Sequence, residues 1–248
     1  MDDEQRRPIA ILTYNVGNGL ANPERLAAFL RDSDADVIGL QEINAAQAEA
    51  LEEIALGAYP HRVVHGAGFD GSALLSKHPI TDLDWHDLAI GRRARRATLD
   101  INGAPLRMTV AHPHPPRLRR WGIHFDKTTR QQLDMLGQLV SADPHSVLVG
   151  DFNMTMRHPI HGEFRQFGLI DAFHTVGKGR GSTFPLRPGH MKSFDHHLTW
   201  VPLPAFTRPD YIWHTTDLRT VVSWTERGVG SDRRPVFALL AWGAPPAE

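Results

Sequence analysis

Apolar runs along this chain keep ending in an amide or a carboxylate. Ile9 to Tyr14 leads into Asn15, Asp36 to Leu40 into Gln41-Glu42, and Val147-Leu148-Val149 through Gly150 into Asp151-Phe152-Asn153. Later, Arg208-Pro209-Asp210-Tyr211-Ile212 sets an acid inside a short aromatic and aliphatic strand, and Gly230-Ser231-Asp232 precedes a last apolar strand, Pro235 to Trp242. Short runs of this kind read as buried strands. Burying Asn, Asp or Glu is costly unless they are paired or bind metal, so the five endings predict one shared site. The most informative is Gly150-Asp151-Phe152-Asn153. Strand alternation puts Asp151 and Asn153 on one face, and glycine lets the backbone turn sharply just before them. A carboxylate suited to a hard cation, beside an amide suited to a phosphate oxygen or a water, is what metal-assisted phosphoester chemistry requires. The plainer reading of the tetrapeptide is an Asp-x-Asn turn.

Helical periods fall between these strands. Asn22-Pro23 is an N-cap with proline at the first helical position, followed by a stripe of Leu26, Phe29 and Leu30. Asn44 with Gln47 resembles a capping box, and that helix is expected to stop near Gly57. Asp126 opens a helix whose Leu133, Leu136 and Val140 face the core. Asn102-Gly103, between Ala97 to Ile101 and Leu106 to Ala111, is a tight hairpin signal. The expected class is α/β, with two packed mixed β-sheets, helices outside, and a site at the sandwich edge where strand ends converge.

Composition narrows the picture. A chain of 248 residues that is 41% hydrophobic can build one large core. No repeat or linker divides it, so residues 1–7 are expected to form a flexible N-terminal extension and 8–248 one domain. Without cysteine there is no disulfide framework or thiolate metal site. The charged N-terminus is not followed by a long apolar stretch, which predicts no membrane span and a cytoplasmic location. A net charge of -1 argues against a strongly basic nucleic-acid binder, yet charge is locally concentrated. Arg92, Arg93, Arg95 and Arg96 read as a solvated face, whereas Arg117, Arg119 and Arg120, next to Trp121 and just after His112 and His114, are candidates for holding a polyanion or stacking a base. Most histidines, including His61, His65, His78, His86, His145, His158, His161 and His174, read as surface or loop residues. His196 and His197 beside Asp195 do not make a zinc site, because adjacent strand residues face opposite ways.

Taken in order, Tyr14-Asn15, Leu40-Gln41-Glu42, Leu74 to Ile80, Val110-Ala111-His112, Gly150 to Asn153, Asp210-Tyr211-Ile212 and Ser231-Asp232 resemble the endonuclease/exonuclease/phosphatase superfamily of metal-dependent phosphoesterases. The resemblance spans nearly the whole chain. It implies a four-layer α/β/β/α sandwich and a magnesium cofactor, with manganese as an alternative. It further implies that Glu42 is the principal metal ligand, Asn15 a metal-site or phosphate contact, and Asp232 a second metal-site carboxylate. Asp151 and Asn153 match the pair that positions the attacking water and the transferred phosphoryl group. His112, or His114 close behind it, matches a histidine that donates to a phosphate oxygen. Asp210 matches the acid that orients the catalytic histidine.

That histidine is replaced. The family's last motif reads Ser-Asp-His, and this chain has Ser231-Asp232-Arg233. Guanidinium cannot act as a base near neutral pH, although it can bind phosphate and stabilise transition-state charge. His190, His196, His197 and His214 are the candidates to supply a base from elsewhere. Pro209, before Asp210, suits a strand start. The leading expectation is a magnesium-dependent phosphoesterase, possible nucleases included, weakened by Arg233 and acting on a phosphorylated substrate such as a nucleic acid. The alternatives are an impaired relative that keeps a phosphate-binding cleft and a nucleic-acid-binding protein without turnover. The sequence specifies neither the substrate nor the oligomeric state.

Overall fold

The computed structural model describes residues 7–54, 57–89, 91–119, 122–187 and 201–243, with backbone only at 54, 117–119 and 122–124. Two six-stranded mixed sheets pack face to face. The first contains β1 (Ile9–Asn15), β2 (Val37–Gln41), β3 (His61–His65), β4 (Ser72–Ser76), β13 (Leu218–Thr225) and β14 (Val236–Trp242), in the order β13-β14-β1-β2-β4-β3. The second contains β5 (Ile80–Asp87), β6 (Arg93–Ile101), β7 (Ala104–Ala111), β10 (Ser146–Asp151), β11 (Ile170–Asp171) and β12 (Asp210–His214), in the order β11-β12-β10-β7-β6-β5. In each sheet a central strand has one parallel and one antiparallel neighbour: β1 lies parallel to β2 and antiparallel to β14, and β10 lies parallel to β7 and antiparallel to β12. A short ribbon, β8 (Arg117–Arg119) with β9 (Gly122–His124), stands apart.

Between the sheets, alternate residues such as Ile11, Val37, Leu74, Leu99, Met108, Val149 and Ile212 interleave in one apolar layer. The opposite faces are covered by helices. α1 (Pro23–Asp32) and α2 (Ala45–Ile54) flank the first sheet, where Leu26 and Leu30 meet Leu12, Ile38 and Leu40. α3 (Lys127–Ser141) and α4 (Pro159–Gln166) flank the second, where Leu133, Leu136 and Phe164 meet Leu148, Tyr211 and Trp213. The result is the expected α/β/β/α sandwich. A one-turn helix, α5 (Ala172–Val176), follows β11.

The local sequence signals act as their chemistry predicts. Asn22 accepts from the Arg25 N–H at 3.0 Å, and Asp126 accepts from Thr129 N–H at 2.9 Å. Asn44 and Gln47 cap each other reciprocally, at 2.9 and 3.1 Å. Asn102 and Gly103, both at positive φ (53° and 86°), form the tight turn between β6 and β7. No described helix is long and apolar enough to cross a membrane. The predicted extension over residues 1–7 lies, apart from Arg7, outside the described residues.

Two histidines and one arginine depart from their predicted surroundings. His161 is buried rather than at the surface, because Asp171 holds its Nε2 at 3.0 Å and Arg208 binds the same carboxylate through both terminal nitrogens, at 3.0 and 2.6 Å. His214 is fully buried at the end of β12 remote from Asp210, between Thr215 O and the Thr220 hydroxyl, so it is a core residue and no substitute base. Arg95 is buried instead of solvated. His190, His196 and His197 lie outside the described residues, as does Asp195.

Candidate active site

The strand ends converge because the two sheets present corresponding edges. Asn15 ends β1 and Gln41 ends β2 beside it, so Glu42 emerges next to Asn15. In the other sheet, Asp151 of β10 stands directly opposite Asp210 of β12. Gly150 serves this by close approach: a Cβ there would sit 1.8 Å from the Ala111 carbonyl oxygen on β7. The sharp turn expected of Gly150 is instead made by Asn153, at φ 53°, whose backbone N–H donates to Asp151 Oδ1 at 2.9 Å. The Asx turn and the polar pair are thus one structure. Glu42 also takes a left-handed φ of 60°, which is sterically unfavourable for a side chain of this kind. Its N–H donates to Gly71 O and its carbonyl accepts from Asn18 N–H, which holds the kink in place.

The polar groups form one connected cluster. The Asn15 amide nitrogen donates to Glu42 Oε1 at 2.9 Å and to Asp151 Oδ2 at 3.0 Å, bridging the sheets. Its amide oxygen, the only atom of that side chain able to ligate a cation, accepts from Gly17 N–H. Asn15 therefore holds two carboxylates in place in this arrangement. His112, just beyond β7, turns Nε2 toward Glu42 Oε1 at 3.6 Å, while Nδ1 lies 3.3 Å from the Phe69 carbonyl oxygen. That oxygen can only accept, so Nδ1 carries the proton and the neutral ring offers a lone pair at Nε2. One oxygen or nitrogen from each of Glu42, His112 and Asp151 lies within 4.8 Å of the others.

Arg233, which the resemblance matches to the family's histidine, faces Asp151. Its Nη2 is 2.7 Å from Asp151 Oδ2, its Nε is 3.9 Å from Asp232 Oδ1, and its guanidinium lies 3.9 Å above the Phe184 ring. Ser231 fixes this turn, donating to Asn15 O at 2.7 Å and accepting from Arg233 N–H. Asp232, expected as a second metal-site carboxylate, sits beside Arg233. Asp210 is bound by the Thr183 hydroxyl at 2.5 Å through Oδ2, but its Oδ1 is buried with no hydrogen-bond partner among the described residues.

Burial dominates the electrostatics. It pushes Glu42 up to about 7, reinforced by the Asp151 and Asp232 carboxylates and opposed by Asn15 and Arg233. Asp210 is likewise driven far above the carboxylate range by burial, with Asp151 adding to it. His112 is pushed down to about 4, chiefly by burial, and is neutral at pH 7. For Arg233 burial acts against the charge, but Asp151, Asp210, Asp232 and Glu42 outweigh it and hold the guanidinium firmly protonated. Four acidic side chains therefore face one permanent cation.

The remaining sequence candidates divide. Asn153 is in the cluster, with its side-chain nitrogen 3.5 Å from Pro113 O. His114 lies two residues beyond His112, its backbone N–H donating to Gln132 Oε1 at 2.9 Å. The side chains of Arg117, Arg119, Arg120 and Trp121 lie outside the described residues. Thr183 and Phe184 were not predicted. No motif marks them, and they arrive through an isolated bridge between Phe184 and Thr207 shortly before β12.

The sequence matches the Endonuclease/Exonuclease/phosphatase family over residues 12–233. The chain belongs to this family. The endonuclease/exonuclease/phosphatase fold recurs in solved structures of low sequence identity. One, an endonuclease/exonuclease/phosphatase from Beutenbergia cavernae, is 20% identical with a TM-score of 0.76, covering 98% of this chain and 74% of its own. A mannosyl-6-phosphatase from Bacteroides thetaiotaomicron is 18% identical with a TM-score of 0.67, covering 94% of this chain and 100% of its own. D. rerio TDP2, solved with a single-strand DNA product, is 17% identical with a TM-score of 0.71, covering 94% and 98%. No curated protein matches the chain in sequence.

Proposed function

We propose that this family member is a divalent-metal-dependent phosphoesterase whose turnover is limited by Arg233. The observation that carries this reading is the juxtaposition of Glu42, His112 and Asp151 within a group of carboxylates that one arginine cannot neutralise. Such a buried excess of negative charge suits a cation, and the mostly oxygen donor set suits a hard one. Glu42 and Asp151 would hold it, with the His112 Nε2 lone pair as a third donor. Mg2+ and Mn2+ are the candidates, and the nitrogen donor suits Mn2+ at least as well. When bound, the ion supplies Lewis acidity toward a phosphoryl oxygen.

The chain's own residues do the rest. Asn15 and the Asn153 N–H fix the Asp151 carboxylate, leaving it to orient the attacking water. With the ring's one proton on Nδ1 toward Phe69 O, donation to a phosphate oxygen through Nε2 would need an imidazolium, which burial disfavours, so His112 is assigned as a lone-pair donor. Arg233 is assigned to transition-state charge. The relatives' names give a sugar phosphate in one case and DNA in another, and both are phosphate esters.

The test is a panel of phosphomonoesters, phosphodiesters, inositol phosphates and oligonucleotides assayed with Mg2+ and Mn2+ and with excess chelator. Activity should appear with metal and vanish with chelator. Asp151→Asn should lower kcat by about a hundredfold or more with little change in KM. Full activity in chelator, or normal turnover in Asp151→Asn, would move the catalytic centre elsewhere.

A further inference from the structure

Three stretches that flank the candidate active site meet at α5. Thr155-Met156-Arg157 follows Asn153, Arg180 and Ser182 come just before Thr183, and Phe206-Thr207-Arg208 leads to Asp210. With Phe173 and His174 of α5 they line a hollow of about 780 Å³. Its floor is fixed and its charge is already met. Arg208 binds Asp171 through both terminal nitrogens, and its guanidinium carbon lies 5.1 Å from the centre of the Phe173 ring and 4.3 Å from that of Tyr211. One wall is a backbone clasp: Thr183 and Phe184 N–H donate to Thr207 O, and Phe206 and Thr207 N–H donate to Phe184 O. The clasp fixes the Phe206 backbone, yet the residue is 74% exposed, and Met156 is 46% exposed. A ring presented on fixed backbone loses little freedom when a partner covers it.

The rim supplies charge of one sign. Arg157 and Arg180 are exposed and make no ion pair among the described residues, and no described aspartate or glutamate lines the hollow. Aromatic, methionine and arginine side chains without lysine or acid are the composition found at the centre of protein interfaces. Two arginines around an apolar hollow complement the carboxylates of a short acidic segment. A polynucleotide, charged at every phosphate, calls for a longer basic track.

We propose that this hollow is a docking site for a partner protein, which inserts an apolar side chain between Met156, Phe173 and Phe206 and pairs flanking carboxylates with Arg157 and Arg180. The docked segment lies against the loops that carry Asn153, Thr183 and Asp210, but none of those three side chains lines the hollow. The partner is therefore held beside the candidate active site without occupying it. Recruitment of this kind does not depend on the chemistry of the neighbouring site.

The probe is a random peptide library displayed on phage and selected on the immobilised full chain. Selected peptides should carry an aromatic or large aliphatic residue flanked by acids, and a synthetic copy should bind the full chain in fluorescence anisotropy, more weakly as salt is raised. Phe206→Ser, and separately the paired change Arg157→Glu with Arg180→Glu, should each weaken that binding about tenfold or more. All three residues are exposed, and circular dichroism checks that each variant is folded. Failure to select acidic apolar sequences overturns the proposal, as does a selected peptide that binds the Phe206→Ser variant as tightly as the wild-type chain. A peptide indifferent to the charge reversals overturns it too, because the rim is then only solvated charge. Self-association of the wild-type chain that Phe206→Ser abolishes in sedimentation would make the hollow an interface between copies, and displacement of the peptide by single-stranded DNA would make it a nucleic-acid site; either result overturns the assignment. No arm reads phosphoester hydrolysis, so failure here and failure of the phosphoesterase reading are separate outcomes.

Discussion

Replacing Arg233 with histidine tests the departure that the resemblance assigns to this position. The substitution removes a guanidinium that is 2.7 Å from Asp151 Oδ2 and stacked on Phe184, where Arg233 itself is 8% exposed and the Asp151 side chain is fully buried. Breaking one side of such a buried pair costs about 3–5 kcal/mol. The new imidazole offsets part of this, because Asp210 Oδ1 has no partner among the described residues and can accept from a ring N–H. The net loss should be about 2–4 kcal/mol in chelator, read as a lower urea midpoint with unchanged slope. Bound metal should return part of it by mass action. Turnover should move the other way, since a titratable base restores what guanidinium cannot supply. The expected gain is tenfold or more in kcat, about 1.4 kcal/mol of barrier, with an acidic limb from the imidazole added to the wild-type pH–rate profile. A variant that is folded and binds metal, yet turns over no faster, would refute this reasoning, because the transition-state charge stabilisation lost with Arg233 would then outweigh the restored base.

Three further outcomes follow from the same geometry. Glu42, raised from 4.5 to about 7, holds its proton more tightly in the folded chain, so metal-free stability should fall as pH rises between those values, by about 3 kcal/mol in all; Glu42→Gln should therefore raise the melting temperature in chelator at pH 8 and lose the stabilisation by Mg2+, and equal melting of the two proteins would contradict this. Asp171, where the His161 and Arg208 bonds outweigh burial and lower the carboxyl from 3.8 to about 2, contributes about 2.5 kcal/mol that is present above pH 4 and lost as pH falls toward 2. Asp171→Asn should cost at least that much in urea melts at pH 7 and be matched by the wild-type chain only near pH 2, so a constant gap across that range would count against the assignment. Gly150→Ala should destabilise by several kcal/mol or prevent folding, since its Cβ would collide with the Ala111 carbonyl, and a soluble variant of wild-type stability would show that β7 can move aside.

Much of this architecture is legible in the sequence because its determinants are local. Caps at Asn22, Asn44 and Asp126 and the Asn102-Gly103 turn are set by neighbours within a few residues. The site endings could be read as well, since a polar residue at the end of a buried run needs partners wherever the chain goes. What could not be read is which partner each one finds. Asn15 and Asp151 are 136 positions apart and meet only because the sheets stack, and the Asn15 amide then points its nitrogen, not its oxygen, at the carboxylates. Thr183 and Phe184 reach the site through a bridge to Thr207 and a bond from Arg234 N–H to Thr183 O, with no pattern to announce them. Arg95 looked like its neighbours in sequence, and only its position beneath Trp85 separates it from three arginines that found acids.

On this proposal, arginine at position 233 does more than withhold a base. A ring at position 233 oriented by Asp210 would leave Asp151 bound by Asn15 and the Asn153 N–H alone. With arginine the cation's short contact moves to Asp151 Oδ2, and the Asp210 oxygen that a ring would engage is left buried without a partner. Three of the roughly four acceptor sites on Asp151 are then occupied, by Asn15, Arg233 and the Asn153 N–H. The carboxylate that should orient water is thus partly consumed by the residue that replaced the base. A metal drawn to Glu42 would have to compete with Arg233 for Asp151, so affinity for the ion and freedom of the water-orienting oxygen are set by the same contact. This is why loss of the guanidinium should raise turnover while lowering stability, and why the two measurements must be made on the same variant.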